Sequence, residues 1–317
     1  MSTSKLGLGL AALGRPEYIN IRKDELKKTE DAFRANAMQV INKAYDLGIR
    51  YFDSAPSYGK GEEFLKDWIQ VFKKEDAELA TKWGYTYEAN WELGFQGIHE
   101  VKEHSIEKLI EQWEQSKALL PRLKVYQIHS ATIESGVLKN QEVLNKLAEI
   151  KKETGLLIGL TTSGVNQSEV IEIAKNVEVN GAPLFDAYQV TYNILDQSAF
   201  KAIEQLLADG KKVIVKEALA NGRVFKNEDY PDYMDKYNFI DFLAAKYDVG
   251  VDAVALRFVY DSLSPSIVLS GAVTEEQLEQ NLKVNSFELS AIEIKLLKGL
   301  VVDVHDYWSD RKELSWS

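Results

Sequence analysis

The 317-residue chain contains no cysteine. A disulfide framework, a thiolate nucleophile and a cysteine-built zinc site are therefore excluded, and the composition suits a reducing compartment. Histidine is also scarce: His99, His104, His129 and His305 are the four, and none has His-Glu-x-x-His or similar metal-ligand spacing. No metal is expected. Proline is rare, and no Pro/Ser linker or low-complexity tract interrupts the chain. No window approaches the roughly 18 consecutive apolar residues that would span a bilayer. Basic residues are in deficit, with 38 Lys and Arg against 49 Asp and Glu, for a formal net charge of -11. The diffuse negative field disfavours attraction to nucleic acid or anionic membrane, so an anionic ligand must be met by a local positive pocket.

What remains is the composition of an ordinary globular protein, 45% hydrophobic and 27% charged. Its length fits two domains or one α/β barrel of roughly 250 residues or more. Short apolar runs alternate with amphipathic stretches to the end of the chain. The strand candidates are 6–13, 48–53, 79–82, 125–129, 157–161, 188–191, 213–216 and 267–270. The first resembles a signal-peptide core, but one preceding lysine and the Gly14-Arg15-Pro16 that follows make it a buried strand. Between the first two, Phe33, Ala37, Val40, Ile41, Ala44 and Leu47 follow helical spacing up to a capping Gly48. Ile106, Leu109, Ile110 and Trp113 define another helix, closed by Pro121. Further helices are expected near 140–153, 167–178, 198–209, 251–260 and 274–283. Strand and helix in strict alternation predict a (β/α)8 TIM barrel, with residues 1–317 as a single domain. Two stretches read as irregular, 221–235 and the tail 301–317 with Tyr307, Trp308 and Trp316. They are expected to cover the barrel mouth.

Such a barrel carries its chemistry at the C-terminal ends of its strands. The second strand ends on Asp53, the third on Lys82 and the fourth on His129, while Tyr58 stands in the loop after Asp53. Each has a plain structural reading: a loop cap, its ion-pair partner, a satisfied core histidine and a surface aromatic. Together they make a proton-transfer device. A phenol with a reference pKa of about 10 is a poor acid or base at neutral pH, but an adjacent ammonium stabilises its phenolate. Lys82 is expected to do this for Tyr58. Asp53 would hold Lys82 charged, and a neutral His129 would hydrogen-bond a polarised carbonyl oxygen.

The motifs "GIRYFDSAPSYGKGE", "ATKW", "YQIHS", "YQVTYN" and "GAVTEEQLEQN" resemble the aldo-keto reductases along nearly the whole chain. The resemblance implies an NAD(P)H-dependent enzyme that passes hydride between nicotinamide C4 and an aldehyde or ketone, or the corresponding alcohol or sugar. Tyr58 would be the general acid/base, with Asp53, Lys82 and His129 completing a tetrad. It further implies that Gln189 holds the nicotinamide carboxamide. Thr161 and Thr162 stand where the family has Ser-Asn, and Thr162 cannot reproduce an amide. In "VKEALANGR", Lys216 replaces a stacking aromatic and Leu219 keeps the leucine of the family's Ser-Pro-Leu run; Lys216 could reach substrate or a phosphate, with Glu217 neutralising it. Ser270, Gly271, Gln277 and Asn281 match the segment for the adenosine end.

NADP is the family's usual cofactor. The Lys and Arg of many NADP-specific members are absent here, however, and Glu275 and Glu276 lie close by, so NAD is also open. Trp83, Tyr307 and Trp308 are the candidates for the substrate pocket. A cytoplasmic location is expected, with a small carbonyl compound or alcohol as partner, no nucleic acid or membrane, and no oligomeric state specified. Two other readings stay open: a cofactor-binding regulatory subunit with little turnover, and a hydrolase pairing Asp53 with Glu62 or Glu63. A dinucleotide fingerprint at Gly7-Leu8-Gly9-Leu10-Ala11-Ala12 lacks the flanking strand and helix it needs. Its glycines are expected to let the first strand pack closely.

Overall fold

The computed structural model describes residues 5–18 and 28–315. Eight parallel strands close into a barrel in the expected (β/α)8 arrangement: β1 (Leu6–Gly9), β2 (Tyr51–Asp53), β3 (Glu78–Trp83), β4 (Leu123–Ile128), β5 (Leu157–Thr161), β6 (Ala187–Thr191), β7 (Lys212–Lys216) and β8 (Ile267–Ser270). Closure sets Leu6 opposite Val268 and Leu8 opposite Ser270. Around the strands run α1 (Glu30–Asp46), α2 (Gly61–Phe72), α3 (Ile106–Ser116), α4 (Gln141–Thr154), α5 (Gln167–Lys175), α6 (Phe200–Ala208), α7 (Met234–Tyr247), α8 (Val251–Leu263), α9 (Glu275–Leu282), α10 (Ala291–Lys298) and α11 (Val304–Glu313).

The first helix shows how local sequence sets these elements. The Thr29 hydroxyl accepts from Ala32 N at 3.3 Å, and Glu30 and Asp31 face the positive end of the helix dipole. Phe33, Ala37, Val40, Ile41 and Ala44 are buried at helical spacing. Each large side chain among them contributes about 1.5–3 kcal/mol by leaving water. Gly48 then turns the chain with φ +96°, a conformation other residues adopt only under strain.

Within the barrel the side-chain period of two decides what faces what. Tyr51, Ala80, Val125, Ala187, Ile214 and Ile267 form an apolar plug. Two residues further along their strands stand Asp53, Lys82, Gln127, Gln189 and Lys216. A polar layer therefore sits on the plug at the mouth end. Gly7 belongs to the plug level, where a Cβ would come within 2.9–3.1 Å of Ile267, Tyr51 and Leu269 side chains. This is the close packing expected of that glycine.

Several elements differ from the sequence reading. The first strand ends at Gly9 because Leu10–Leu13 form a turn. The helix expected to reach residue 178 stops at Lys175, and a short hairpin, 178–179 with 182–183, follows. A second hairpin, Tyr85–Tyr87 with Glu100–Lys102, extends from β3 and carries no strong alternation. The segment 221–235 holds a short 3-10 turn, Pro231–Tyr233, before α7. The tail is not irregular: α11 buries Tyr307 and Trp308. Trp316 lies outside the described residues. Among the described residues no helix is long and apolar enough to cross a membrane.

Candidate active site

Lys82 enters the mouth from β3 and Asp53 from β2, both almost without solvent exposure. The Lys82 ammonium pairs with Asp53 Oδ1 and donates to the Ser54 carbonyl at 2.9 Å. Asp53 Oδ2 accepts from Gln189 Nε2 at 2.8 Å, and Gln127 Nε2 lies at 3.5 Å. Removing either member of the ion pair would strand a buried charge, which typically costs about 3–5 kcal/mol.

Tyr58 is brought over this pair by its loop. The turn Tyr58 N to Ala55 O (3.0 Å) and Gly61 N to Tyr58 O (2.9 Å) sets its backbone, and Lys60 N donates to Gly14 O at 2.7 Å. Lys82 Nζ lies 4.6 Å from the centre of the Tyr58 ring. His129, just beyond β4, meets the same ring edge-on at 5.5 Å and Tyr85 at 4.7 Å. Its Nδ1 is 3.5 Å from Ser57 Oγ. The four candidate proton-transfer residues therefore converge.

Their electrostatics differ from expectation at one point. Burial, and then the Asp53 carboxylate, push the Tyr58 phenol well above its usual value; the Arg15 guanidinium acts the other way. Lys82 is not among the strongest influences on the phenol. His129 is held well below the usual imidazole range by burial and by Lys82, Arg15 and Lys216, so it is neutral at pH 7. The alternative carboxylate pair does not form. Glu62 accepts from the Thr81 and Ser116 hydroxyls behind β3, and Glu63 pairs with Arg34 and Lys60.

A cleft of about 500 Å³ crosses the mouth. Asp53, Tyr58, Gln189 and Lys216 bound one end; Ser270, Gly271, Gln277 and Asn281 bound the other; Gly9, Ala11, Ala12, Ala218 and Leu219 lie between. At the far end Ser270 Oγ donates to Asn281 Oδ1 at 2.6 Å, and Gln277 Oε1 accepts from Val273 N at 2.9 Å. Glu276 also lines the cleft.

Other candidates stand behind the cleft wall. Thr161 and Thr162 are buried and are not among the cleft-lining residues. The Thr161 hydroxyl instead accepts from Ser130 N at 2.7 Å, fixing the turn after His129, where Ser130 has φ 49°. Trp83, Tyr307 and Trp308 are also absent from the cleft lining. Trp83 packs edge-on to His104 at 5.5 Å. Tyr307 OH accepts from Asn193 Nδ2 at 2.9 Å, and the Tyr307 carbonyl accepts from Arg223 at 2.9 Å, so this residue docks α11.

Lys216 does line the cleft, but its ammonium is engaged by Thr191 Oγ1 at 2.7 Å and Ser163 Oγ at 3.3 Å. Burial lowers its pKa, and Glu217 at 3.7 Å only partly opposes this. The closer partner of Glu217 is Arg311 of α11, a forked contact with its shortest distance 2.6 Å. Burial would raise the Glu217 carboxyl, but Arg311 and Lys216 outweigh it and hold it at about 2.

Sequence reading missed Arg15 and Ser57 beside Tyr58, Tyr18 and Glu100 in contact with Arg15, Gln127 beside Asp53, and Arg311. Gln127 was within reach, since it stands two residues after Val125 just as Lys82 does after Ala80. The others stand on loops, a hairpin and the last helix, whose approach no periodicity announces. Among the described residues no group of His, Asp and Glu is arranged to hold a metal ion.

The Aldo/keto reductase family profile matches residues 5–302, and the chain belongs to that family. It is similar to an uncharacterized oxidoreductase of Bacillus subtilis, 26% identical over 94% of this chain and 93% of the relative. It is also similar to the NADH-specific methylglyoxal reductase of Escherichia coli, 23% identical over 95% of each. The glycerol dehydrogenase of Gluconobacter oxydans shares the fold, with a TM-score of 0.72 and 20% identity over 94% of this chain and 91% of that one. Membership and relatives together make the protein an oxidoreductase of a family that uses nicotinamide cofactors.

Proposed function

We propose that the protein is an NAD(H)-linked oxidoreductase that interconverts a small alcohol or sugar and the corresponding carbonyl compound, with Tyr58 exchanging the proton. The observation that carries this reading is the convergence of His129 and the buried Asp53–Lys82 pair on Tyr58, which together with Asp53 lines the cleft. A nicotinamide dinucleotide fits the rest. The cleft volume lies within the range of small-molecule sites, and its lining combines small apolar residues with polar groups. When bound, the nicotinamide supplies or accepts a hydride.

The protein's own part follows from the groups in place. In reduction Tyr58 is protonated at neutral pH and gives its proton to the substrate oxygen. In oxidation it must first lose that proton, so the oxidative rate is expected to rise with pH. Neutral His129 donates a hydrogen bond to the same oxygen; with Nδ1 turned to Ser57, Nε2 is the nitrogen that does so. Gln189 spends one N–H on Asp53 and keeps its carbonyl and second N–H for a carboxamide. The far end would take the adenosine, where Glu276 disfavours a 2′-phosphate and so favours NAD over NADP. The NADH specificity in the name of one relative agrees with this choice.

The test is titration with NADH and with NADPH by quenching of tryptophan fluorescence, followed by steady-state turnover on a panel of aldehydes and sugars. Tighter binding of NADH with sustained turnover supports the reading. Tight binding with a single slow oxidation of bound cofactor would favour the regulatory-subunit alternative, and tighter binding of NADPH would refute the role given to Glu276.

A further inference from the structure

Tyr58 has a second cation beside it that the tetrad does not include. Arg15 is 1% exposed, and its guanidinium carbon lies 5.1 Å from the Tyr58 ring centre and 4.6 Å from that of Tyr18. Its Nη1 amino group donates to the Ser57 carbonyl at 3.1 Å, in the loop that carries Tyr58, and to Glu100 Oε1 at 2.8 Å, on the hairpin beyond β3. A fully buried arginine is kept only where its donors are matched and its charge compensated. Glu100 does this from a side chain still 20% exposed, whereas Lys82 is compensated by a carboxylate buried with it.

We propose that Arg15, resting on the reading of Tyr58 given above, is the residue that positions Tyr58 and stabilises its phenolate, with Glu100 setting how much of its charge the phenol feels. When Tyr58 gives its proton to a substrate oxygen, the O–H bond breaks and its electron pair stays on the phenolate. The phenolate is then reprotonated from solvent. Arg15 is placed to bear that transient negative charge, which Asp53 opposes. Among the described residues, the charged or titratable groups facing Tyr58 are Asp53 from β2, Lys82 from β3, His129 after β4, Glu100 from the hairpin, Tyr18 and Arg15 from the segment after β1, and Glu217 after β7 with Arg311 behind it. Among the described residues that act on the phenol most strongly, Arg15 alone lowers its pKa.

The experiment compares wild type, Arg15→Met, Glu100→Gln, the double variant and Arg15→Lys. Two readouts are taken: the pH dependence of kcat for NAD-linked oxidation of glycerol, pentoses and hexoses, and the near-ultraviolet phenolate titration of each variant against its Tyr58→Phe counterpart. The alkaline limb should move up by about one pH unit in Arg15→Met, lowering kcat about tenfold below the limb. It should move up less in the double variant, return toward wild type in Arg15→Lys, and move down in Glu100→Gln. Thermal unfolding and NADH titration confirm that each variant is folded and binds cofactor. A purely structural role would lower kcat at every pH with the limb stationary, or move both single variants the same way, and either result overturns the proposal. Loss of turnover in Tyr58→Phe with the order of limbs not obeyed defeats this inference alone. Retained turnover in Tyr58→Phe defeats the functional reading and this inference together.

Discussion

At the reaction end of the cleft, side chains are held by charge: Lys82 to Asp53, Arg15 to Glu100, and Glu217 to Arg311. At the far end there is no ion pair among these groups: Ser270 and Gln277 make neutral hydrogen bonds, and only the Asn281 amide donates to a carboxylate, that of Asp252 at 2.5 Å. Charge pairs buried together act strongly on any group that gains or loses a proton beside them, whereas neutral hydrogen bonds fix shape with little field. The first end is therefore suited to changing a protonation state and the second to recognising a ligand that does not react. Substitutions should separate along the same line, with turnover lost at one end and affinity changed at the other.

The largest expected effect is Tyr58→Phe, which should lower turnover by about 10²–10⁴-fold while leaving NADH affinity nearly intact. Parallel losses of turnover and affinity, measured by steady-state kinetics and fluorescence titration, would erase the distinction between the ends. Lys82→Met should come next, destabilising the fold by about 3–5 kcal/mol in urea unfolding because Asp53 is left buried and unpaired. Adding Asp53→Asn should recover most of that stability without restoring turnover.

Glu62 sharpens the comparison from behind the reaction end. Burial raises its carboxyl to about 7, against the hydrogen bonds from Thr81 and Ser116 and the charge of Lys82. A raised value means the stability it contributes is fully present below the unfolded value of 4.5 and is lost as pH rises through about 7. Relative to Glu62→Gln, wild type should therefore lose about 3 kcal/mol between those limits. Urea unfolding at pH 4.5 and pH 8 measures this, and equal stability differences at both would show that Glu62 ionises normally. The smallest effect belongs to the far end. Glu276→Lys should tighten NADPH binding by about fivefold, the scale of one exposed charge contact, with kcat for NADH unchanged.

Much of the architecture was legible in the sequence because buried parallel strands leave dense apolar runs and amphipathic helices leave a period near 3.6. Asp53 and Lys82 were legible for a related reason: each stands at or next to the end of such a run, and the pleat turns it inward above the plug; Gln189 lies mid-strand and was legible only through the family motif. Tyr58 and His129 stand just past strand ends, where a barrel concentrates its chemistry. What could not be read was long-range approach. Nothing local in "LGRPE" announces that Arg15 will be buried against Tyr58, because Glu100, which compensates it, lies 85 residues away. Tyr307 could not be assigned a role from sequence for the converse reason. An aromatic in a tail can cover the cleft or dock its helix, and only the partners Asn193 and Arg223 decide for docking. Thr161 shows a third case, a hydroxyl at the expected strand end recruited to hold the turn after His129.

Gly14 has a consequence for how such enzymes can be altered. A Cβ there would lie 2.2 Å from the Tyr58 carbonyl and 2.6 Å from Gly61 N, so the loops after β1 and β2 are in direct backbone contact. The segment bearing Arg15 and the segment bearing Tyr58 are thus one graft, not two. A donor loop exchanged at residues 54–61 alone would have to meet a neighbour shaped for the original. Transplanting both together is the smallest exchange that carries Tyr58 and Arg15 in their present contact.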